Sequence, residues 1–409
     1  MQRLPLSEQK VINNLSRSRL ETIVRTITSR WEEIPEPGLM TGLTGVATLL
    51  FHYGRSQGSD RIENLGYLAL EKALGSIDKG FNWPSFATGL AGMRFALHHL
   101  GEQQFINQSE ASALDTLEPL LFEFALRKMK EGEYNYLHGG LGYLLGSKSG
   151  SGSEPNVTQL ISLLMDHSIA PRPGQIAWEA HNPKTGQAEI NLGLAHGVPG
   201  IMLLMAGSLE GRNPKLGGAG KEQSEMMVSA VNSIFDFLMD CRLEKASNGS
   251  LFPHRMVEGK PDKPGRLAWC YGDPGVGAAL WQTGLLMQRS DWQSIALEVL
   301  TKASMRIRNR ENRIYDACLC HGTAGLALIF FKMAELTGHE RLLEASIHWT
   351  RATLDYAQHP DAPAGYLFLG PGNKYVPNLT LLEGITGVGL ALNTLINGET
   401  GGWETAMLL

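Results

Sequence analysis

Apolar residues along this chain gather in seven runs, and each run opens on a pair of glycines three residues apart. In order they read TGLTGVATLL from Thr41, TGLAGMRFAL from Thr88, HGGLGYLLG from His138 and HGVPGIMLLM from His196. The last three are YGDPGVGAAL from Tyr271, HGTAGLALIF from His321 and EGITGVGLAL from Glu383. The first glycines are 42, 89, 139, 197, 272, 322 and 384, at spacings of 47, 50, 58, 75, 50 and 62. A recurrence of this kind marks internal repeats. Behind each pair the run is apolar nearly all round, as in GLALIFFKMAEL, which predicts a helix buried on every side. About 20 to 30 residues later comes a charged segment with apolar residues at helical spacing, such as ERLLEASIHWTRATLDYA, which predicts an outer helix. Each repeat then supplies one inner and one outer helix. The expected fold is all-α, an (α/α)7 toroid of seven inner and seven outer helices. It forms a single domain over 1–409, with an N-terminal helical extension over about 1–35. Extended lead-ins, SLFPHRM, RLAWCYG, NRIYDACLCHG and AGYLFLGPGNKYVPNLTLLEG, predict short strands in the rim loops. The widest spacing exceeds the shortest by 28 residues, too few for an inserted β domain of usual size. GSKSGSGSEP and GRNPKLGGAGKEQ read as surface loops.

Glycine suits the helix mouths because it allows unusual backbone angles and close backbone approach. The residues just before each pair then share one rim, where chemistry is expected. In the position before the first glycine stand Thr41, Thr88, His138, His196, Tyr271, His321 and Glu383. One place earlier stand Met40, Ala87, Leu137, Ala195, Cys270, Cys320 and Leu382. Two of the four cysteines thus occupy one slot in adjacent repeats, beside a tyrosine and a histidine. Cys241 and Cys318 do not share it.

Four cysteines in 409 residues are no disulfide framework. Cys270, Cys320 and His321 instead offer two thiols and an imidazole, the ligands that zinc favours. Three protein ligands leave the fourth tetrahedral position open, as in a catalytic site. Two thiolates already neutralise the ion, so it is a modest Lewis acid. It is better suited to hold an incoming thiol as thiolate, since a free cysteine with a pKa near ~8.5 is mostly protonated at neutral pH.

Composition narrows the classes further. The net charge is −5 and no long Lys/Arg run appears, so nucleic-acid binding has no electrostatic support. The N-terminus lacks the layout of a secretory signal. The apolar stretches fall short of the roughly 20 residues that span a bilayer. The chain reads as a cytoplasmic protein without membrane insertion, and as a monomer. A toroid glycosidase would need two placed carboxylates, and the rim offers Glu383 alone.

RLAWCYGDPG, CLCHGTAG and GLAHGVPG together resemble the lanthionine synthetase C-like family, the lantibiotic cyclases, and the resemblance runs through all seven repeats. It implies a helical toroid holding one zinc. It also implies addition of a peptide cysteine to dehydroalanine or dehydrobutyrine in a ribosomally made, dehydrated precursor peptide with a leader. The product is lanthionine or methyllanthionine. Cys270, Cys320 and His321 match the zinc ligands. His196 matches the acid/base, and Tyr271 and Arg266 match a tyrosine and an arginine lining the site. A dehydratase and an exporter are the partners implied. One position departs: the family's aspartate four residues before the third glycine pair is here Asn135, and Glu131, Glu133 and Glu383 are the nearby carboxylates. His138 shares the slot of His196, and Asp273 reads as a charge favoured by a helix N-terminus. The departure opens an alternative, a catalytically impaired zinc protein of this family that binds a peptide, glutathione or a partner protein.

Overall fold

The structure is a computed structural model and describes residues 6–146, 154–181, 186–209, 219–398 and 401–409. Of the loops expected over 146–155 and 211–223, residues 147–153 and 211–218 lie outside the described residues, while Glu154 and Pro155 open the helix Glu154–Asp166 and residues 219–223 belong to the helix Ala219–Asp240. The chain divides into two compact units. One comprises Met1–Leu121, Ile307–Met407 and Leu409, and the other Phe122–Arg306 and Leu408. Repeats one, two, six and seven therefore build the first unit, and repeats three, four and five the second.

Each glycine pair opens a helix. In the first unit these inner helices are Leu43–Gln57, Leu90–Glu102, Thr323–Thr337 and Ile385–Asn397; in the second they are Gly142–Gly146, Val198–Gly207 and Asp273–Leu286. Thr323–Thr337 buries Leu326, Leu328, Ile329, Phe330 and Met333, as a helix apolar all round must. The outer helices are amphipathic. Glu340–Asp355 buries Leu342, Ala345 and Trp349 against its inner partner and leaves Leu343 exposed. Among the described residues no outer helix follows the seventh inner helix. Its partner is the N-terminal extension, Leu6–Arg30, which buries Leu20, Ile23, Val24 and Ile27. The two approach so closely that a Cβ on Gly389 would lie 2.9 Å from Ile23 Cγ2.

The lead-in of each repeat folds back over the helix it starts. In five repeats the residue after the first glycine donates its N–H to the carbonyl seven places earlier. These bonds join Leu43 to Glu36 (2.9 Å), Leu90 to Trp83 (2.8 Å), Gly140 to Glu133 (2.9 Å), Thr323 to Asp316 (3.1 Å) and Ile385 to Asn378 (3.0 Å). Each bond satisfies an N–H that the first turn of a helix leaves without an intrahelical partner. The same fold-back presses a carbonyl against the glycine. A Cβ at 197 would lie 2.1 Å from the Asn191 oxygen, and one at 272 would lie 1.8 Å from the Arg266 oxygen. Among the seven first glycines only Gly272 has a positive φ, +112°. Close approach, rather than an unusual backbone angle, is the general reason for glycine at the helix mouths.

Within each unit, backbone bonds also link slot residues of adjacent repeats. In the first unit Cys320 donates to Leu382 (3.1 Å), Leu382 to Met40 (2.9 Å) and Met40 to Ala87 (2.9 Å); in the second Ala195 donates to Cys270 (3.3 Å). Strands form in only part of the lead-ins. The second unit carries a four-stranded antiparallel sheet in the order β1 (Ala180–His181), β2 (Ala188–Asn191), β3 (Arg255–Val257) and β4 (Lys260–Pro261). The first unit carries β5 (Phe368–Leu369) paired with β6 (Tyr375–Val376). The segments 266–272 and 312–322, expected to be extended, form bends and turns. There the chain is engaged in the fold-back instead of a ladder.

Candidate functional site

The fold-back gives neighbouring positions opposite environments. The slot residues are buried, with Cys270 3% and Cys320 8% exposed. The rim residues after them reach solvent: His196, Tyr271 and His321 are half-buried, and His138 and Glu383 exposed. The thiols are therefore covered while the rings beside them remain accessible.

In the second unit the rim rings of successive repeats stack. His138 and His196 lie 6.4 Å apart at 14°, and His196 and Tyr271 lie 5.5 Å apart at 27°. His254 continues the column, 4.2 Å from Tyr271 at 24°. Burial lowers the pKa of His196; the charge of His138 acts the same way, and Cys270 opposes. A neutral imidazole, able to accept a proton, is the result at neutral pH. Arg266 is half-buried on the lead-in of the same repeat as Cys270. Asp273 is more than a helix-terminal charge. It is fully buried, accepts the N–H groups of Leu251 (3.0 Å) and Phe252 (3.1 Å), and pairs with Arg306 at 2.9 Å. That set ties the lead-in loop to the helix and is structural.

Asn135 turns its side chain onto its own repeat. Its Oδ1 accepts the His138 N–H at 2.8 Å. The equivalent positions in two other repeats act alike: Ser85 Oγ accepts the Thr88 N–H at 3.3 Å, and Cys318 Sγ accepts the His321 N–H at 3.4 Å. Glu131 and Glu133 are exposed and both pair with Lys128, at 2.9 and 3.1 Å.

In the first unit Asp316, Cys318 and His321 bring their ligand atoms within 4.8 Å of one another, a group that could hold a metal ion. Asp316 holds the turn by accepting the N–H groups of Cys318 and Leu369, both at 3.0 Å, and its Oδ2 lies 3.8 Å from His321 Nε2. Burial pushes the Cys318 thiol well up, and pushes Cys241 up to about 12. Both stay protonated at neutral pH, as cysteines that act as small buried hydrophobes do.

A family model, lanthionine synthetase C-like protein, matches residues 33–408. The chain belongs to the lanthionine synthetase C-like family. No curated protein matches it in sequence. Among solved structures, that of a nisin cyclase is similar, with a TM-score of 0.73 at 20% identity over 94% of this chain and 96% of that one. The likeness bears out the fold class expected from the sequence. No helix among the described residues of this lanthionine synthetase C-like protein is long and apolar enough to cross a membrane.

Sequence reasoning overlooked three residues at this family's rim. Asn191 donates from Nδ2 to the Tyr271 hydroxyl at 3.0 Å, His254 stacks on the same ring, and Asp316 underlies His321. Asp316 had a signal, since DACLCH sets an acid four residues before Cys320. Asn191 and His254 had none, because they lie far from Tyr271 in sequence and belong to neither glycine-pair slot.

Proposed function

We propose that this protein is a zinc-dependent lanthionine or methyllanthionine cyclase. It joins a peptide cysteine to dehydroalanine or dehydrobutyrine in a dehydrated precursor peptide. The observation that carries the proposal is that Cys270 and Cys320 hold the equivalent position of adjacent repeats, each buried and each followed by a half-buried ring, Tyr271 and His321. Family membership and the nisin cyclase fold support it.

In this reading Cys270, Cys320 and His321 would hold the zinc. Two buried thiols and one half-buried imidazole suit zinc, and three ligands leave a place for a substrate. Zinc bound there would supply thiol activation, by favouring the thiolate of the substrate cysteine. The chain's own groups do the rest. His196, neutral through burial, accepts the proton lost by the thiol. The sulfur bonds to the β-carbon of the dehydro residue, and the alkene electrons pass to the carbonyl oxygen as an enolate. In this reading Arg266 and Tyr271 stabilise that oxygen. His196 then returns its proton to the α-carbon, which closes the thioether with no net gain or loss of protons. Asn135 takes no proton in this scheme: its oxygen serves the His138 N–H, as a carboxylate there would too.

The acceptor is a dehydrated residue, so a dehydratase must act first. A leader on the precursor and an exporter for the product complete the set of partners, in a cytoplasmic setting with a monomeric enzyme. The test is incubation of zinc-loaded protein with a dehydrated, cysteine-containing peptide, counting free thiols by alkylation and mass. We expect thiols to disappear without change of peptide mass. Wild type and Asn135→Asp should act at rates within about tenfold, since no proton passes through this position. Persistent thiols with both proteins would leave a zinc protein that binds peptide, glutathione or a partner.

A further inference from the structure

Tyr271 is held on several sides. Asn191, the last residue of β2, donates from Nδ2 to its hydroxyl at 3.0 Å. The other end of that amide, Oδ1, accepts the Gly193 N–H at 2.8 Å. A backbone N–H can only donate, so the second bond fixes which end of the amide is oxygen. The end facing Tyr271 is therefore the NH2, which can only donate in its turn. In this pair the phenol oxygen is the acceptor, and the phenol proton is directed to an acceptor other than Asn191.

The ring itself is clamped. His254 stacks on it at 4.2 Å and His196 at 5.5 Å. Gly193 makes room at its edge, since a Cβ there would lie 2.6 Å from Tyr271 Cδ1. The sheet places both neighbours: Leu192 donates its N–H to the His254 carbonyl at 3.3 Å, and Asn191 is in register with Arg255. The small sheet of the second unit thus fixes the ring's plane through His254 and the direction of its hydroxyl through Asn191.

We propose that Asn191 is a positioning residue that holds the Tyr271 hydroxyl as a hydrogen-bond donor toward the reacting acceptor, with His254 setting the plane of the ring. The proposal rests on the cyclase reading, in which negative charge develops on a carbonyl oxygen. A donor oriented beforehand stabilises such charge without reorganising during the reaction. A tyrosine whose proton pointed back into the protein would not serve.

Asn191→Asp tests it. Aspartate has the same size, keeps an oxygen for the Gly193 N–H and replaces the donating NH2 with an accepting oxygen. It should turn the phenol proton inward without disturbing the sheet. Protein carrying 13C at tyrosine Cζ reports the hydrogen bonding of each phenol, and the Tyr271 resonance is the one missing from Tyr271→Phe. We expect that resonance to move in Asn191→Asp while the others stay. With dehydrated peptide, kcat for ring closure should fall about tenfold or more, as for loss of one oriented donor. KM and zinc content should hold, and Asn191→Asp should add no loss in the Tyr271→Phe background. An unmoved resonance, or an equal loss of kcat with and without the Tyr271 hydroxyl, overturns the proposal. Wild-type protein that closes no ring counts against the cyclase reading alone, and the resonance then decides the role of Asn191 by itself.

Discussion

Each compact unit contains a pair of stacked histidines. In the first unit His52 and His99 lie 5.2 Å apart at 17°, with their Nε2 atoms 3.0 Å apart. Each stands ten residues after the first glycine of its repeat, Gly42 and Gly89, well inside an inner helix. In the second unit His138 and His196 stand one residue before Gly139 and Gly197, on the rim. Both pairs come from equivalent positions in adjacent repeats, so the repeat itself generates the stacking. What differs is the surroundings. Burial lowers His52 to about 3 and His99 to about 4, helped by the charge of Arg55. One ring nitrogen donates to the other, and the pair is neutral packing. His196 keeps access to solvent beside Tyr271 and Cys270, which suits it to move a proton. Place along the helix, more than residue type, separates the buried pair from the pair at the rim.

The sharpest way to break this comparison is His196→Ala. Loss of a general acid/base should slow ring closure about 100-fold or more, with zinc retained and the melting temperature unchanged. Initial rates and elemental analysis check it, and an unaltered rate would move His196 to the structural class. His99→Ala should do the converse. It opens space beside His52 and removes its hydrogen-bond partner, costing about 2–3 kcal/mol of stability in denaturant while zinc content stays the same.

The pH dependence of folding follows from the same pair. Both folded pKa values lie below the ordinary histidine value of 6.5, so the unfolded chain binds more protons once the pH drops below that value. Stability is therefore intact above about 6.5 and declines toward pH 4, by about 1.4 kcal/mol per pH unit for each histidine. Denaturation midpoints measured across that range should show the decline, and His52→Gln with His99→Gln should flatten it. The smallest effect is expected for His138→Ala, with less than about tenfold loss of rate, because the side chain is exposed. Its charge helps to lower the pKa of His196. Its removal should therefore raise that pKa and move the acid limb of the rate profile to higher pH.

Much of this architecture was legible from the glycine pairs. They located the inner helices, the buried slot of Cys270 and Cys320, and the rim that carries His196 and Tyr271. Local pattern suffices there because the fold-back is a local structure, closed by bonds within about seven residues, as from Leu43 to Glu36. Pairings across the chain were not legible. The seventh inner helix takes its outer partner from Leu6–Arg30, at the opposite end of the sequence. Asn191 reaches Tyr271 across 80 positions. No period links such residues; tertiary packing alone brings them together. Asn135 is a third kind of case. Its departure from the family pattern stood out in the sequence, yet its bond to the His138 N–H places it with Ser85 and Cys318 as a turn former.

The central claim is that Cys270, Cys320 and His321 share one metal ion. The measurement that tests it most directly is the zinc content of the purified protein beside its Cys270→Ala variant, with helical content followed by circular dichroism. The account predicts about one zinc per wild-type chain, lost in the variant while the helices persist. Wild-type protein without zinc, or zinc retained after Cys270 is removed, would contradict it.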